Sequence, residues 1–135
     1  MRGTMPLIML LAIPSIDSDG IAHGSADPLK FTVRNALRGK RVHDHPYYEV
    51  LAAAMRRDGI NCVPIHVAPV WFMCREYQMF IDGEWQPIPL PACLNPLQPM
   101  LGNGGHRVKI ARELRLPILR WTTDLWESGW GDEPR

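Results

Sequence analysis

An α/β fold of the α+β kind, with a small mixed sheet, two main helices and an inserted β-hairpin, is predicted by three features of this chain. Apolar residues recur at helical spacing from Tyr47 to Met55. A short β-rich run, residues 63–67 (VPIHV), follows them. A glycine-rich turn, Gly102-Asn103-Gly104-Gly105, then opens a second helical stretch that leads into another short apolar run, residues 116–121 (LPILRW). With 135 residues, 46% of them hydrophobic and 21% charged, the chain has material for one core, and a single domain over residues 1–135 is expected.

From the N-terminus, Arg2 precedes the apolar run 6–14 (PLIMLLAIP). It is far too short to span a bilayer, and no membrane partner is expected. A buried strand is the favoured reading; a short secretory signal with a cleavage region near residues 22–26 is the alternative. Residues 15–27, rich in Ser, Asp and Gly, read as a loop. Residues 30–33 (KFTV) read as a short strand, and Arg38-Gly39-Lys40-Arg41 as a basic turn.

Asp44 or His45 is placed to cap a helix, with Pro46 near its first turn, where a missing N–H costs nothing. Tyr47, Val50, Leu51, Ala54 and Met55 are predicted to share its buried face, and Arg56, Arg57 and Gly59 supply a cationic end and a stop. Residues 63–67 are short and β-rich, as a central strand should be. Residues 77–81 alternate, Asp82-Gly83 is a tight-turn dipeptide, and Trp85 and Ile88 lie on the returning strand. Pro87, Pro89, Pro91 and Pro96 withhold backbone donors, so residues 89–98 read as an irregular loop able to cover a pocket. In the second helix Arg107, Ile110, Ala111 and Leu114 fall on one stripe, with Val108 beside it. Trp126 and Trp130, in a polar tail over residues 122–135, are expected to dock onto the body.

Charge says little about partners: 15 Lys and Arg against 14 Asp and Glu leave a net +1, so DNA contact would need a local patch. Arg34, Arg38, Lys40 and Arg41 are the one stretch that could make it. Cys62, Cys74 and Cys93 are odd in number and lack CxxC spacing, which argues against a disulfide framework and a structural zinc site and for a reducing, cytoplasmic compartment.

The chemistry is expected at the glycine turn. A helix N-terminus presents N–H donors and partial positive charge, and Gly104 and Gly105 let an anion approach the backbone. Asn103 belongs to the same turn, His106 and Arg107 add side-chain donors, and Arg can grip two phosphate oxygens. Asp44 has two readings, a helix cap or a carboxylate that positions Mg2+ or activates a nucleophile. Glu49 is the substitute acid and His106 the third catalytic candidate. His43 and His45 lack a third ligand, so no transition-metal site is assigned.

The order of these elements resembles the ParB/sulfiredoxin superfamily, the ParB-like nuclease domain. The resemblance covers residues 42–121, with 47–67 matching the helix, glycine and Pro-Ile-x-Val strand, and 104–119 the Gly-x-His-Arg loop, helix and closing strand. Residues 71–102 form an insertion. Asn103-Gly104-Gly105-His106-Arg107 matches the Asp-Gly-x-His-Arg form of the loop with Asn in place of Asp. The resemblance implies a loop that holds nucleotide phosphates, ATP or CTP with Mg2+, and phosphoryl transfer, NTP hydrolysis or phosphodiester cleavage. Gly105 stands where sulfiredoxins carry their catalytic cysteine, which argues against sulfiredoxin chemistry. The insertion, the missing second basic motif and the missing helix-turn-helix argue against chromosome partitioning. They point to a stand-alone domain of phage or plasmid type, the alternative being a non-catalytic module that binds DNA or a host protein.

Overall fold

The computed structural model describes residues 1–130; residues 131–135, the end of the tail, lie outside the described residues. Strand β1, Arg2–Pro6, is followed directly by helix α1, Leu7–Leu10. The expected buried strand over 6–14 is therefore corrected to a strand end and a helical turn. Leu10 and Leu11 are buried while Ile8 and Met9 face solvent. An unbroken apolar run has no period that separates strand from helix.

Helix α2, Asp19–His23, interrupts the expected loop. The expected strand at 30–33 is instead a 3-10 turn, Pro28–Phe31, and helix α3, Val33–Ala36. Capping decides this. Asp27 accepts the Leu29 N–H at 3.0 Å with Pro28 in the first position, and the Thr32 hydroxyl accepts the Asn35 N–H at 3.2 Å.

Helix α4, Tyr48–Asp58, forms where the periodicity places it and stops at Gly59, but in a different phase. Tyr48, Leu51, Ala52 and Met55 pack inward, while Val50 is 53% exposed. Asp44 and His45 do not cap it. Asp44 closes the separate 3-10 turn Val42–Asp44, and the residue before α4 is Tyr47, which makes no side-chain cap.

Strand β2, Ile65–Pro69, is central as expected and leads into helix α5, Val70–Glu76, within the insertion. Strands β3, Gln78–Ile81, and β4, Glu84–Pro87, form the anticipated hairpin. Its turn has positive φ at both Asp82 (52°) and Gly83 (82°), the geometry that matches strand twist. Ile88 lies just past β4, its N–H bonded to the Cys74 carbonyl at 2.8 Å, which ties the hairpin to α5.

The proline-rich stretch ends in strand β5, Pro99–Leu101, and is followed by helix α6, Gly105–Glu113, and strand β6, Ile118–Thr122. The main sheet runs β1-β6-β2-β5, with β2 parallel to β6 and the other neighbours antiparallel.

Successive β2 side chains alternate between two clusters. Ile65 and Val67 join Leu10, Met55, Val108, Ile110 and Leu119 under α4 and α6. Ala68 joins Phe31, Val70, Met73 and Met100 on the other face. Each of these buried Val, Leu, Ile, Phe and Met side chains contributes about 1.5–3 kcal/mol relative to its exposure. Cys62, Cys74 and Cys93 are free thiols, and burial pushes Cys62 and Cys74 above the usual thiol range.

The tail is fastened by Arg2, which pairs with Glu127, and by Ser128, which is buried. Trp130 sits edge-on to Tyr77 with centroids 6.0 Å apart, whereas Trp126 is 70% exposed and does not dock as expected. Among the described residues no helix is long and apolar enough to cross a membrane.

Candidate anion site at the glycine turn

The turn between β5 and α6 continues the β2–β5 ladder: the Gly102 N–H donates to the His66 carbonyl at 2.8 Å and the His66 N–H to the Asn103 carbonyl at 2.9 Å. Side chains crowd it at every glycine. A methyl group at Gly102 would come 2.5 Å from the Tyr77 hydroxyl, and one at Gly104, where φ is +124°, 2.7 Å from the Ile65 side chain. At Gly105 it would come 2.9 Å from the Lys40 ammonium. Gly104 is thus required by close approach as well as by backbone conformation, Gly102 by close approach alone, and at Gly105 the neighbour is the movable end of the Lys40 side chain.

Lys40 reaches this point because another lysine holds its segment. Lys109, on α6, donates to the Leu37 carbonyl at 3.0 Å and to the Lys40 carbonyl, clamping the end of α3 onto α6. The Lys40 ammonium then lies at the first residue of α6, with the Asp17 carboxylate 3.9 Å away. Of the expected basic patch, Lys40 therefore belongs to this turn, while Arg34 and Arg38 line a separate groove with Lys30 and His23.

His106, in the first turn of α6, stacks obliquely on His45, ring centroids 4.3 Å apart. His45 Nδ1 accepts the Tyr47 N–H at 3.2 Å, which fixes that ring. His43 goes elsewhere: its Nε2 lies 3.1 Å from Glu113, at the far end of α6, and Tyr48 donates to the same carboxylate at 3.1 Å. Nine residues of helix span about 13 Å, so Glu113 and His106 mark opposite ends of α6. Asp44 lies between these two histidines and is exposed, as is Glu49 on α4, and neither forms an ion pair among the described residues.

Arg107 and Asn103 have a different task from the expected grip on phosphate. Arg107 is 8% exposed, and its guanidinium donates to the carbonyls of Val63 (2.8 Å), Pro64 (2.7 Å) and Ser128 (2.5 Å). Burial pulls it down from its usual value to about 10, so it stays charged at neutral pH. Asn103 donates to the Ser128 carbonyl at 3.0 Å and hydroxyl at 3.1 Å. Together they join the entry of β2, the glycine turn and the tail. The Lys40, His106 and His45 side chains gather around the α6 N-terminus.

His66, unremarked within its apolar strand, is fully buried behind the turn. Its Nε2 lies 3.2 Å from the Thr123 carbonyl, which can only accept, so Nε2 carries the proton. Nδ1 then accepts the Tyr77 hydroxyl at 2.9 Å. Burial holds the imidazole below its usual range, and the Tyr77 phenol above its own. The only hint of this pair in the sequence is a histidine among the branched residues of VPIHV.

Among the described residues no group of three His, Cys, Asp or Glu side chains gathers to hold a metal. The chain matches no family model, no curated protein and no solved structure.

Proposed function

We propose that this chain is a ParB/sulfiredoxin-like domain that binds the phosphates of a nucleotide, ATP or CTP, at the N-terminal turn of α6. The observation that carries it is the Lys40 ammonium against Gly105. A lysine and the positive end of a helix repel one another unless an anion lies between them, and Asp17, at 3.9 Å, offsets that only in part. Backbone N–H groups of the first turn, Lys40 and His106 then form a phosphate cradle.

Mg2+ bound chiefly through phosphate oxygens needs only one or two protein carboxylates, and Asp17 beside Lys40 suits that part. When bound, the ion would neutralise phosphate charge. The reaction class follows from charge stabilisation at the turn: phosphoryl transfer, NTP hydrolysis or phosphodiester cleavage, with Asp44, Glu49 and His106 as acid–base candidates. A second reading, a non-catalytic module for DNA or a host protein, is favoured by Arg107, whose engagement with three carbonyls removes it from transition-state stabilisation.

Titration calorimetry with ATP, CTP and serine plus ATP, each with Mg2+, tests the proposal on the wild type and Lys40→Ala. Binding that weakens about tenfold or more in the variant is expected for a phosphate contact of this kind. No heat with any of them overturns it, and phosphate release by a binding-competent protein separates enzyme from module.

A further inference from the structure

A cavity of about 230 Å³ lies between residues 16–22 and the start of β3, behind the glycine turn. Ile21, Met79 and Ile88 give it apolar walls, and Asp17, Ser18 and Tyr77 bring polar atoms. It is smaller than the ~300–1,000 Å³ clefts that enclose whole drug-sized ligands, which suits one ring system of a larger molecule.

Ser18 marks it as more than a packing gap. It occupies the N-cap position of α2, where a serine hydroxyl ordinarily accepts a first-turn N–H, yet its side chain makes no cap. Ser18 is 2% exposed, and its hydroxyl has no partner among the described residues. Buried hydroxyls are paired as a rule, so one left over on a residue that lines a cavity points to a ligand that completes it; the oxygen is closed off from water as it stands, and rotation of the serine side chain would bring it to that ligand.

Two lining side chains connect this cavity to the anion site. Asp17 lies 3.9 Å from the Lys40 ammonium. The Tyr77 hydroxyl, bonded to His66, lies against the glycine turn, 2.5 Å from where a Cβ on Gly102 would stand. The thioether of Met79 and the Tyr77 ring offer polarizable surface to an aromatic face. The Ser18 hydroxyl and the Asp17 carboxylate offer partners to ring nitrogens and amino groups.

We propose that this cavity seats the heteroaromatic ring of a nucleoside, with the polar edge of the ring on Ser18 and any phosphate directed past Asp17 to Lys40. The direction of the phosphate rests on the function proposed above; the seat for the ring does not. Free nucleoside and nucleotide share the ring chemistry, and the experiment separates them.

The full chain is titrated with adenosine, guanosine, cytidine and uridine, with their triphosphates, and with inorganic tripolyphosphate, alongside Ala22→Trp and Ser18→Ala. Ala22 lines the cavity but is otherwise exposed, so a tryptophan there obstructs the seat without entering the core. Ser18→Ala removes a hydroxyl that none of the described residues engages. At least one nucleoside should bind the wild type, about tenfold more weakly in Ala22→Trp and a few-fold more weakly in Ser18→Ala, with tripolyphosphate affinity unchanged in both. If tripolyphosphate binds but nucleosides do not, and the triphosphates bind no more tightly than it does, the ring seat is overturned and the phosphate site stands. Nucleoside binding that both variants leave intact also overturns it. Nucleoside binding lost in the variants, without tripolyphosphate binding, upholds the seat and overturns the phosphate site; no binding at all overturns both.

Discussion

Arg107 Nη2 donates to the Ser128 carbonyl oxygen at 2.5 Å, so the helix that opens the glycine turn is bolted to the tail of the chain. The same guanidinium holds Val63 and Pro64, at the entrance to the central strand. Removing it takes the side-chain donor from the part-buried Val63 and Pro64 carbonyls and leaves Ser128 only that of Asn103, and each buried group left unpaired costs roughly 1–3 kcal/mol. Arg107→Ala should therefore lose about 3 kcal/mol or more in urea denaturation, with Arg107→Lys recovering only part. A variant as stable as wild type would show that the arginine is not structural.

Lys109 acts on the candidate site at one remove. Lys109→Met keeps the aliphatic packing but releases the carbonyls of Leu37 and Lys40. The expected loss is about 1–2 kcal/mol of stability. Phosphate affinity should fall with it, because Lys40 is no longer held at Gly105. Calorimetry on the folded variant checks the second effect, and unchanged affinity would detach Lys109 from the site.

The glycines can be ranked by what surrounds them. Gly104 combines φ +124° with a Cβ position 2.7 Å from Ile65 Cγ2, while a Cβ on Gly39 meets nothing within 4 Å. Gly104→Ala should cost roughly 2–4 kcal/mol. Gly39→Ala should be neutral or stabilising by a few tenths of a kcal/mol, through the unfolded chain. Thermal melts of the two variants compare them directly, and equal losses would contradict the packing described.

His66 gives the fold a pH dependence of known sign. Its folded pKa lies below the unfolded value, so below about pH 6.5 the unfolded chain takes up a proton that the folded one refuses. Stability is full above that pH and falls as pH drops towards the folded pKa, by up to about 1.4 kcal/mol per pH unit. Urea midpoints at pH 7.5 and 5.5 should differ for the wild type. The difference should shrink in His66→Gln, which is expected to be less stable at pH 7.5; a wild-type midpoint that does not move would falsify the assignment of a neutral buried imidazole.

The elements that the sequence announces are those whose signal is local. Helix α4 declares itself by its period, the hairpin by Asp82-Gly83, and α6 by its glycines and stripe. The errors fall where two local signals compete. In Lys30–Val33 β-propensity loses to the caps at Asp27 and Thr32, and in the run 6–14 a featureless apolar stretch conceals a strand end and a helical turn. The phase of α4 is off because the buried stripe is set by the neighbour it packs against, and that neighbour is α6, about fifty residues away.

The candidate site divides along the same line. Composition and spacing determined the class of fold, the position of the glycine turn before a helix, and the free thiols. Tertiary structure decided which side chains face that turn. It turned Arg107 and Asn103 inward to backbone carbonyls and brought Lys40 and Asp17 in their place, with His45 against His106. The physical reason is that a hydrogen-bond donor near a helix end will take whichever acceptor the fold presents first. Carbonyls supplied by residues 63–64 and 128 cannot be read from the residues around position 107.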